Sequence, residues 1–357
     1  MSARTRVLSS EASGETVRPI ERGPIFLAGI DRSGIGMLCE FLESHPSIAM
    51  TRRTNFWAFF LNRFGDLSRR DNLDRCLTAM MRYTRMQVFK SDSEQLYRSL
   101  RDEKPTYPRL FALLEEGRAR SLGKVRWGDK SMNSEDYADT ILTAYPGAKM
   151  IHIIRDPRDR YASLLTHRRV GRAGVAASTA LWLRSARLAK RNSLKYPDRY
   201  RIVRFETVLS QPEVTLRRIC HFLEEEYSPA MLTVDGPPVS TTPQLDPDGG
   251  PTPRVITTAS IGRFHKSLSL REVAFIQQCT HREMAEYGYK LVAVPLSLSG
   301  RLLFYLADYP VNMTLMLCSR AHTATLKWLG CTPSARRIIS ERDPAGADVY
   351  SERTKDS

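Results

Sequence analysis

The chain has 357 residues, of which 42% are hydrophobic, and a formal net charge of +15 at pH 7. This length and apolar content allow one large α/β domain or two small ones with a hydrophobic core. The positive charge favours a polyanionic partner: nucleic acid, an anionic membrane surface or a phosphorylated small molecule. Because the sequence has no zinc-finger spacing, no RNA-binding aromatic signature and no basic recognition helix, we exclude nucleic acid from the expected partners.

The cysteines and the amino-terminal segment bear on location in the cell. The six cysteines are scattered and form no CxxC pair, so we interpret them as reduced core residues of a cytoplasmic protein and not as metal ligands: Cys39, Cys76, Cys220, Cys279, Cys318 and Cys331. Residues 1–22 are polar and contain no apolar stretch. We expect a mobile tail there, and neither a signal peptide nor a membrane anchor.

Apolar spacing predicts strands and helices that alternate along the chain. The predicted strands are 25–30, 47–50, 149–154 and 200–205. The predicted helices are 37–44, 72–86, 108–122, 135–145, 157–168, 176–194, 211–223 and 269–287. This alternation predicts an α/β fold with three layers, a mostly parallel sheet flanked by helices, and a P-loop-like nucleotide-binding topology. We expect one domain over 23–292, with a long loop at 236–254, and a helical carboxy-terminal extension over 293–357 whose end is mobile.

Residues 24–36, PIFLAGIDRSGIG, read as a buried strand, a tight turn and the start of a helix. Such a turn presents backbone N–H groups to an anion, with the positive end of the helix dipole behind them. The loop is not a Walker A motif, because Ile35 and Gly36 stand where that motif has Lys and Ser/Thr. Taken alone, it fits a phosphate or sulfate site and an ordinary strand–helix turn equally well.

A second motif is KMIHIIRDPRDRYASLL at 149–165, where Arg155 closes a strand and Ser163 follows within the next helix. With the first loop, it resembles the sulfotransferase family that uses 3′-phosphoadenosine 5′-phosphosulfate (PAPS). The resemblance covers roughly 24–292 in four ordered pieces. They are GIDRSGIG, IIRDPRDRYASLL, YRIVRFETVLSQPEVTLRRICHFL at 200–223, and IGRFHKSLSL at 261–270.

The resemblance implies a PAPS co-substrate and no metal. Backbone N–H groups of the first loop and the Arg32 side chain would hold the 5′ end of PAPS. Arg155 and Ser163 would hold the 3′-phosphate, which ATP lacks. The implied cofactor-binding residues are Arg32, Ser33, Gly34, Ile35, Gly36, Arg155, Ser163, Ile261, Gly262 and Arg263.

The resemblance also suggests which residues are catalytic. Arg32 is the candidate to stabilise charge on the oxygen that leaves sulfur. Lys130, in WGDKS, matches the family's E/D-K-[ST]-P segment, and the alternative is a surface lysine that follows a strand. In tyrosylprotein and heparan-type members an acid lies after the second strand, whereas this chain has TRRTNFW at 51–57.

The general base therefore has to be sought elsewhere. We predict His167, with Asp31 as a second candidate, and expect His45 and His152 to be structural. Arg52 and Arg53 cannot act as bases, but they are candidates for binding an anionic acceptor or the sulfuryl group.

We expect transfer of a sulfuryl group to a hydroxyl of a small molecule or a lipid-linked carbohydrate. The missing acid and the Ile35–Gly36 pair keep open a non-catalytic descendant that binds nucleotides or anions. A small-molecule kinase with a degenerate P-loop is a third reading.

Each of two apolar stretches in the sequence has two possible structural interpretations. The aromatic cluster at 56–64 is either core or a wall of an apolar acceptor site. Segment 302–317 is apolar but interrupted by Asp308 and Pro310, and is too short to span a bilayer. It is interpreted as helices packed on the domain or in a homodimer contact, with an anionic membrane surface as the alternative.

Overall fold

A computed structural model describes residues 22–92, 100, 105–131, 133–166, 174–233 and 256–328. Five strands form one sheet in the order β2-β3-β1-β4-β5, and every neighbouring pair is parallel. The strands are β1 (Ile25–Ala28), β2 (Ile48–Arg52), β3 (Arg126–Lys130), β4 (Lys149–Ile154) and β5 (Tyr200–Arg204). The predicted parallel α/β sheet is therefore confirmed.

Helices fill the intervals between the strands. They are α1 (Ile35–Glu43), α2 (Phe56–Phe59), α3 (Arg70–Arg82), α4 (Tyr107–Ser121), α5 (Ala138–Ala144), α6 (Pro157–Thr166), α7 (Gly174–Lys195), α8 (Phe205–Ser210), α9 (Pro212–Leu223), α10 (Phe264–Ser267), α11 (Leu270–Glu286), α12 (Leu298–Leu303) and α13 (Tyr309–Trp328). Short 3₁₀ turns lie at Thr84–Asp92, Ser134–Tyr137, Pro229–Met231 and Thr258–Ser260.

The sheet has a hydrophobic cluster on each face, which makes the fold three layers thick. On one face, Phe26 and Trp127 pack with Phe111 of α4 and Ile141 of α5. The other face joins apolar residues of β1 and β4 to α1, α8 and α9, and its members include Leu27, Ile151, Leu38, Val208 and Leu216. Strands buried on both faces are near-continuous apolar runs, as the sequence of β4 shows.

Two element boundaries next to the first turn differ from prediction. β1 ends at Ala28 and not at residue 30, because Gly29 leaves the extended conformation with φ +133°. Helix α1 begins at Ile35, two residues earlier than predicted, since Gly34 forms its amino-terminal cap with φ +95°. Both changes tighten the turn around Arg32.

The aromatic cluster is core. Phe56, Trp57, Phe60 and Phe64 are buried, and the Phe56 ring stacks on Phe111 with centroids 4.4 Å apart. This confirms the core interpretation over an acceptor wall.

The cysteine interpretation holds in part. Cys39, Cys76 and Cys220 are buried, but Cys318 is exposed on α13, which corrects the expectation that it is a core residue. Cys331 lies outside the described residues.

The carboxy-terminal segment forms α12, a π-helical turn (Phe304–Asp308) and α13, and packs on α7 and α11 through Phe304 and Met316. Pro310 has no N–H to donate, and the wider turn precedes it. Within the described ranges, no helix is long and apolar enough to cross a membrane. Of the tail predicted at 1–22, only Arg22 is described, and it bonds to Glu225 over 2.9 Å. The loop predicted at 236–254 and the residues after 328 lie outside the described ranges.

Candidate active site

The turn after β1 is held in a conformation that opens its backbone toward the carboxyl end of the sheet. Arg32 adopts φ +68°, and the Ser33 N–H donates to the Ile30 carbonyl over 3.2 Å. Gly34 is required, because a Cβ there would lie 2.2 Å from the Phe205 ring. Ile35 is buried, so only its backbone can reach a ligand. A Cβ at Gly36 would meet no atom within 4 Å, so the space beside that residue is open.

Two buried residues that the sequence did not indicate support this turn from below. The Glu135 carboxylate accepts the Gly29 N–H over 3.3 Å. Arg160 donates from Nε to the Asp31 carbonyl over 2.9 Å and from Nη1 to Ser178 Oγ over 2.8 Å. Burial lowers the pKa of Arg160 to about 10, so its guanidinium stays charged at neutral pH. A signal was available for Arg160, since it lies within the second motif.

Arg155 joins the end of β4 to the first turn. Its Nη1 donates to the Arg32 carbonyl over 3.1 Å, and its Nη2 donates to the Ser260 carbonyl over 2.8 Å. The guanidinium lies over the Phe205 ring, 4.4 Å from the centroid. Its Nε is buried and, among the described residues, has no hydrogen-bond partner, and burial lowers the pKa of the group. The Nε–H of Arg155 is therefore still available as a donor for a ligand.

Ser163 lies two turns into α6, and its Oγ accepts a hydrogen bond from Arg32 Nε over 3.0 Å. Arg32, Arg155 and Ser163 come from two motifs that are about 120 residues apart, yet they are in direct or shared contact. Had Arg155 been remote from the first turn, the two motifs could not serve one ligand. The fold brings them together.

The segment at 261–264 is tied to the same place by Asp159. Its carboxylate accepts the Gly262 N–H over 2.7 Å and the Phe264 N–H over 2.9 Å. Burial raises the pKa of Asp159, and these two hydrogen bonds oppose that effect. The charge of Arg263 acts on Arg155, so the segment adds a cation beside it.

Lys130 ends β3, next to β1 in the sheet, where it is opposite Leu27. Burial lowers the pKa of Lys130, and the neighbouring charge of Arg53 lowers it further. Within the described part of the chain, its ammonium group makes no hydrogen bond or ion pair. The alternative of an exposed surface lysine is wrong, because the side chain is partly buried and belongs to the strand itself.

The turn after β1 and the segment from Arg155 to Ser163 thus lie together at one edge of the sheet. A family comparison shows to which group of proteins the chain belongs. The model of the Sulfotransferase family matches residues 24–229. The chain belongs to the sulfotransferase family. The match ends before 261–270, so the connection of that segment to the site rests on the contacts of Asp159 and Arg155.

One solved sulfotransferase domain has the same fold, and two further sulfotransferase structures are similar to the chain. The sulfotransferase domain of the olefin synthase of Synechococcus PCC 7002 is 21% identical, with a TM-score of 0.51 over 77% of this chain and 98% of that chain. The sulfotransferase domain from the curacin biosynthetic pathway is 18% identical, with a TM-score of 0.45 over 76% of this chain and 99% of that chain. The sulfotransferase from Alicyclobacillus acidocaldarius is 20% identical, with a TM-score of 0.39 over 77% and 97%. No curated protein matches the chain significantly.

Among the base candidates of this sulfotransferase, two histidines are structural, as expected. His45 Nε2 bonds to the Glu226 carbonyl over 2.8 Å. His152 is fully buried between Tyr200 and Ser185, and burial lowers its pKa. His167 lies outside the described residues, and Asp31 is exposed in the turn.

Two arginines near the site have their donors occupied within the protein. Arg158, in the second motif, is buried and donates to Asp156 Oδ2 over 2.6 Å and to Gln277 Oε1 over 2.6 Å. Arg52 bonds to Glu40 over 3.4 Å and to Glu43 over 2.5 Å, so its charge is already matched.

Two buried carboxyl groups lie behind Lys130 and were not predicted. Asp129 Oδ1 accepts from Thr54 Oγ1 over 2.9 Å, and Glu115 Oε1 accepts from Thr51 Oγ1 over 2.6 Å. Burial raises the pKa of Asp129 to about 6 and that of Glu115 well above its ordinary value. Over the described residues, no group of His, Cys, Asp and Glu is arranged to hold a metal ion.

Proposed function

We propose that this sulfotransferase transfers a sulfuryl group from PAPS to a hydroxyl of a small-molecule or lipid-linked carbohydrate acceptor. The contacts that Arg32 makes with Arg155 and Ser163 carry the proposal. PAPS has anionic groups on both sides of its ribose, and these contacts join two anion-binding segments at the carboxyl ends of neighbouring strands. Ligands of parallel α/β sheets bind at that edge.

The donor would bind along the edge from β4 to β1. The N–H groups of 34–36 would hold the 5′-phosphosulfate, with the helix dipole of α1 behind them. Arg155, Ser163 and Arg263 would hold the 3′-phosphate. The buried Nε of Arg155 supports this assignment, because a phosphate oxygen would satisfy a donor that has no partner among the described residues.

Transfer of the sulfuryl group would not require a covalent intermediate with the protein. As in phosphoryl transfer, catalysis would consist of alignment of the acceptor with sulfur and stabilisation of charge on the leaving oxygen. Arg32 and Lys130 would supply that charge, and loss of one such donor costs roughly 10²–10³ in rate. Asp31 or His167 would accept the proton of the acceptor hydroxyl.

Binding of adenosine 3′,5′-bisphosphate tests the donor assignment. Arg155→Ala should weaken binding of this compound far more than binding of adenosine 5′-phosphate, because only the first has a 3′-phosphate. Arg217→Ala is the matched control, since Arg217 is exposed on α9 and paired with Glu213. Equal losses for the two nucleotides in Arg155→Ala would contradict the assignment.

A non-catalytic nucleotide-binding protein is the second candidate. It is favoured by the turn, where Ile35 is buried and Gly36 has no side chain, so neither offers the hydroxyl groups of the usual loop. Transfer of labelled sulfate from PAPS to a metabolite extract separates the two. Nucleotide binding without transfer to any fraction would favour the binder.

The proposal includes a peripheral contact with an anionic membrane. Large apolar side chains are exposed together on α12 and the π-helical turn: Leu298, Leu302, Tyr305 and Leu306. Arg301 and Arg320 are exposed on the same segment, and its acid Asp308 is paired with Arg271 over 2.8 Å. Among the described residues, Arg301 and Arg320 have no acidic partner. An apolar face bordered by such cations suits the surface of an anionic bilayer better than a second copy of a chain with net charge +15.

A further inference from the structure

Arg53 is an exposed cation beside the proposed site of transfer. Among the described residues, its guanidinium makes no hydrogen bond or ion pair. Its neighbour Arg52 is bonded to two carboxylates, Glu40 and Glu43. Two adjacent arginines thus differ in one respect that matters for ligands: only Arg53 has its charge and its donors available.

The backbone of Arg53 is fixed. The residue adopts φ +59°, a left-handed conformation that a residue with a side chain rarely takes. Its N–H donates to the Lys130 carbonyl over 2.7 Å, and its carbonyl accepts from Tyr83 Oη over 3.3 Å. Such conformations persist where the surroundings impose them, and they are concentrated at functional sites. The Arg53 side chain therefore starts from a defined point at the end of β2.

The strand order fixes the sequence in which the candidate site residues follow one another along the edge of the sheet. From β4 to β2 along the carboxyl edge, the chain presents Arg155, the first turn, Lys130 and then Arg53. Adjacent strands are about 4.8 Å apart, so Arg53 lies on the far side of Lys130 from the proposed 3′-phosphate site. In an in-line transfer the acceptor approaches sulfur from the side opposite the leaving group. That side is the one where Arg53 lies.

Lys130 is influenced by charges of both signs. Burial lowers the pKa of Lys130 most, the charge of Arg53 lowers it further, and the charges of Asp31 and Asp129 raise it. Arg53 and Lys130 are therefore close enough for the two cations to repel each other. If Lys130 neutralises the sulfuryl group, Arg53 is left without a partner on the donor. An anion bound there would relieve the repulsion.

We infer that Arg53 binds an anionic group of the acceptor, which is therefore a hydroxyl compound that carries a carboxylate or a phosphate. The inference rests on the proposed function, because it takes the donor to fill the β1–β4 side. A guanidinium offers two parallel N–H groups that match the two oxygens of either anion. Lys130 and the turn would then hold the sulfuryl group while Arg53 orients the acceptor toward it.

The test is titration of inorganic phosphate, and separately of acetate, into the protein saturated with adenosine 3′,5′-bisphosphate. Arg53→Asn is the informative variant, since Asn tolerates the left-handed conformation and keeps the fold while it removes the charge. We expect phosphate or acetate to bind the wild type, and Arg53→Asn to weaken that anion about tenfold or more. Preference between the two ions distinguishes a phosphorylated acceptor from a carboxylic acid. Arg52→Asn is the matched control and should leave anion affinity within about twofold of the wild type.

Three results would overturn the inference. The saturated wild type could bind neither anion, or Arg53→Asn could bind them as the wild type does. Arg53→Asn could also lose affinity for adenosine 3′,5′-bisphosphate, which would assign Arg53 to the donor. Failure of the proposed function gives a different result, because the wild type then does not bind the bisphosphate at all. In that case the anion affinities of Arg53→Asn and Arg52→Asn can still be compared by titration of the nucleotide-free proteins.

Discussion

Arg32 Nε donates a hydrogen bond to Ser163 Oγ over 3.0 Å, although the two residues belong to different motifs and different strand–helix units. Arg155 holds the backbone of the same Arg32 through its carbonyl. A residue proposed for the 5′ end of the donor is thus bonded directly to a residue proposed for the 3′-phosphate. Because Ser163 Oγ accepts from Arg32, the hydroxyl hydrogen of Ser163 would be the donor to an oxygen of the 3′-phosphate.

Ser163→Ala should therefore lower affinity for adenosine 3′,5′-bisphosphate and leave affinity for adenosine 5′-phosphate nearly unchanged. A hydrogen bond to a charged group contributes about 1.5–3 kcal/mol, which corresponds to a loss of about tenfold or more. Calorimetric titration with both nucleotides measures this. Ser193→Ala, at a half-buried serine of α7 whose hydroxyl bonds to the Lys190 carbonyl, is the control and should change neither affinity. Parallel losses for both nucleotides in Ser163→Ala would remove Ser163 from the 3′-phosphate site.

Gly34 and Gly36 lie two residues apart, and substitution by Ala should have opposite consequences. At Gly34 an added Cβ would lie 2.2 Å from the Phe205 ring, and the residue has φ +95°. Gly34→Ala should lower the free energy of unfolding by about 2 kcal/mol or more, because the conformation and the contact are both unfavourable. Gly36 lies inside α1 with no atom within 4 Å of an added Cβ. Gly36→Ala should stabilise the helix by about 0.5–1 kcal/mol.

Chemical denaturation of the two variants measures both effects. A Gly34→Ala protein as stable as the wild type would mean that Phe205 can move away from the turn. Because the space beside Gly36 is open, a ligand that enters the turn would meet the new methyl group. A stable Gly36→Ala protein with weakened nucleotide binding would therefore locate the 5′ end of the donor independently of the arginines.

Much of this site could be predicted from the sequence, and the reason is local. Arg32, Arg155 and Ser163 lie at fixed positions relative to the ends of apolar strands, so the strand pattern places them at one edge of the sheet. Glu135 and Arg160 act through contacts with backbone atoms that are distant in the chain. Arg160 lies within the second motif, but neither that motif nor any spacing rule indicates which backbone atom it contacts, so both roles became visible only in the fold.

The strand β3 also depends on contacts between residues that are distant in the chain, and its sequence does not reveal them. Its sequence RWGDK has charged residues at three of five positions, so it lacks the apolar run that predicts a buried strand. In the fold, Arg126 is buried with Glu225 at one end, and Asp129 is buried with Thr54 at the other. Polar partners from other segments, and not hydrophobicity, make this strand compatible with the centre of the sheet.

Asp129 should make stability depend on pH in an unusual direction. Burial raises its pKa from 3.8 to about 6 in the folded protein. The folded protein therefore binds this proton more tightly than the unfolded chain, and the associated stability is present below pH 4 and lost as the pH rises to 6. A shift of this size corresponds to roughly 3 kcal/mol at most.

Asp129→Asn removes the ionisation and keeps one oxygen to accept from Thr54. We expect the variant to gain stability relative to the wild type at pH 7.5, and to lose that gain at pH 4. Asp139→Asn is the control with the opposite sign, because the hydrogen bond from Lys195 lowers the pKa of Asp139. Unfolding curves at several pH values measure the difference, and a constant difference between Asp129→Asn and the wild type would contradict the assignment.

The apolar face of α12 and the π-helical turn should control binding to lipid vesicles. We expect the wild type to bind vesicles that contain phosphatidylserine more tightly than vesicles of phosphatidylcholine alone, and salt to weaken the binding, because Arg301 and Arg320 act through their charge. The double variant Leu302→Glu and Leu306→Glu should reduce binding at least about tenfold, since each leucine loses burial worth about 1.5–3 kcal/mol. Leu194→Glu is the matched control, because Leu194 on α7 is 73% exposed and Leu306 is 76% exposed.

Vesicle co-sedimentation measures binding to lipid, and analytical ultracentrifugation of the lipid-free protein measures whether the protein dimerises instead. A wild type that ignores both vesicles but dimerises, with the dimer lost in the double variant, would assign this face to a second copy of the chain.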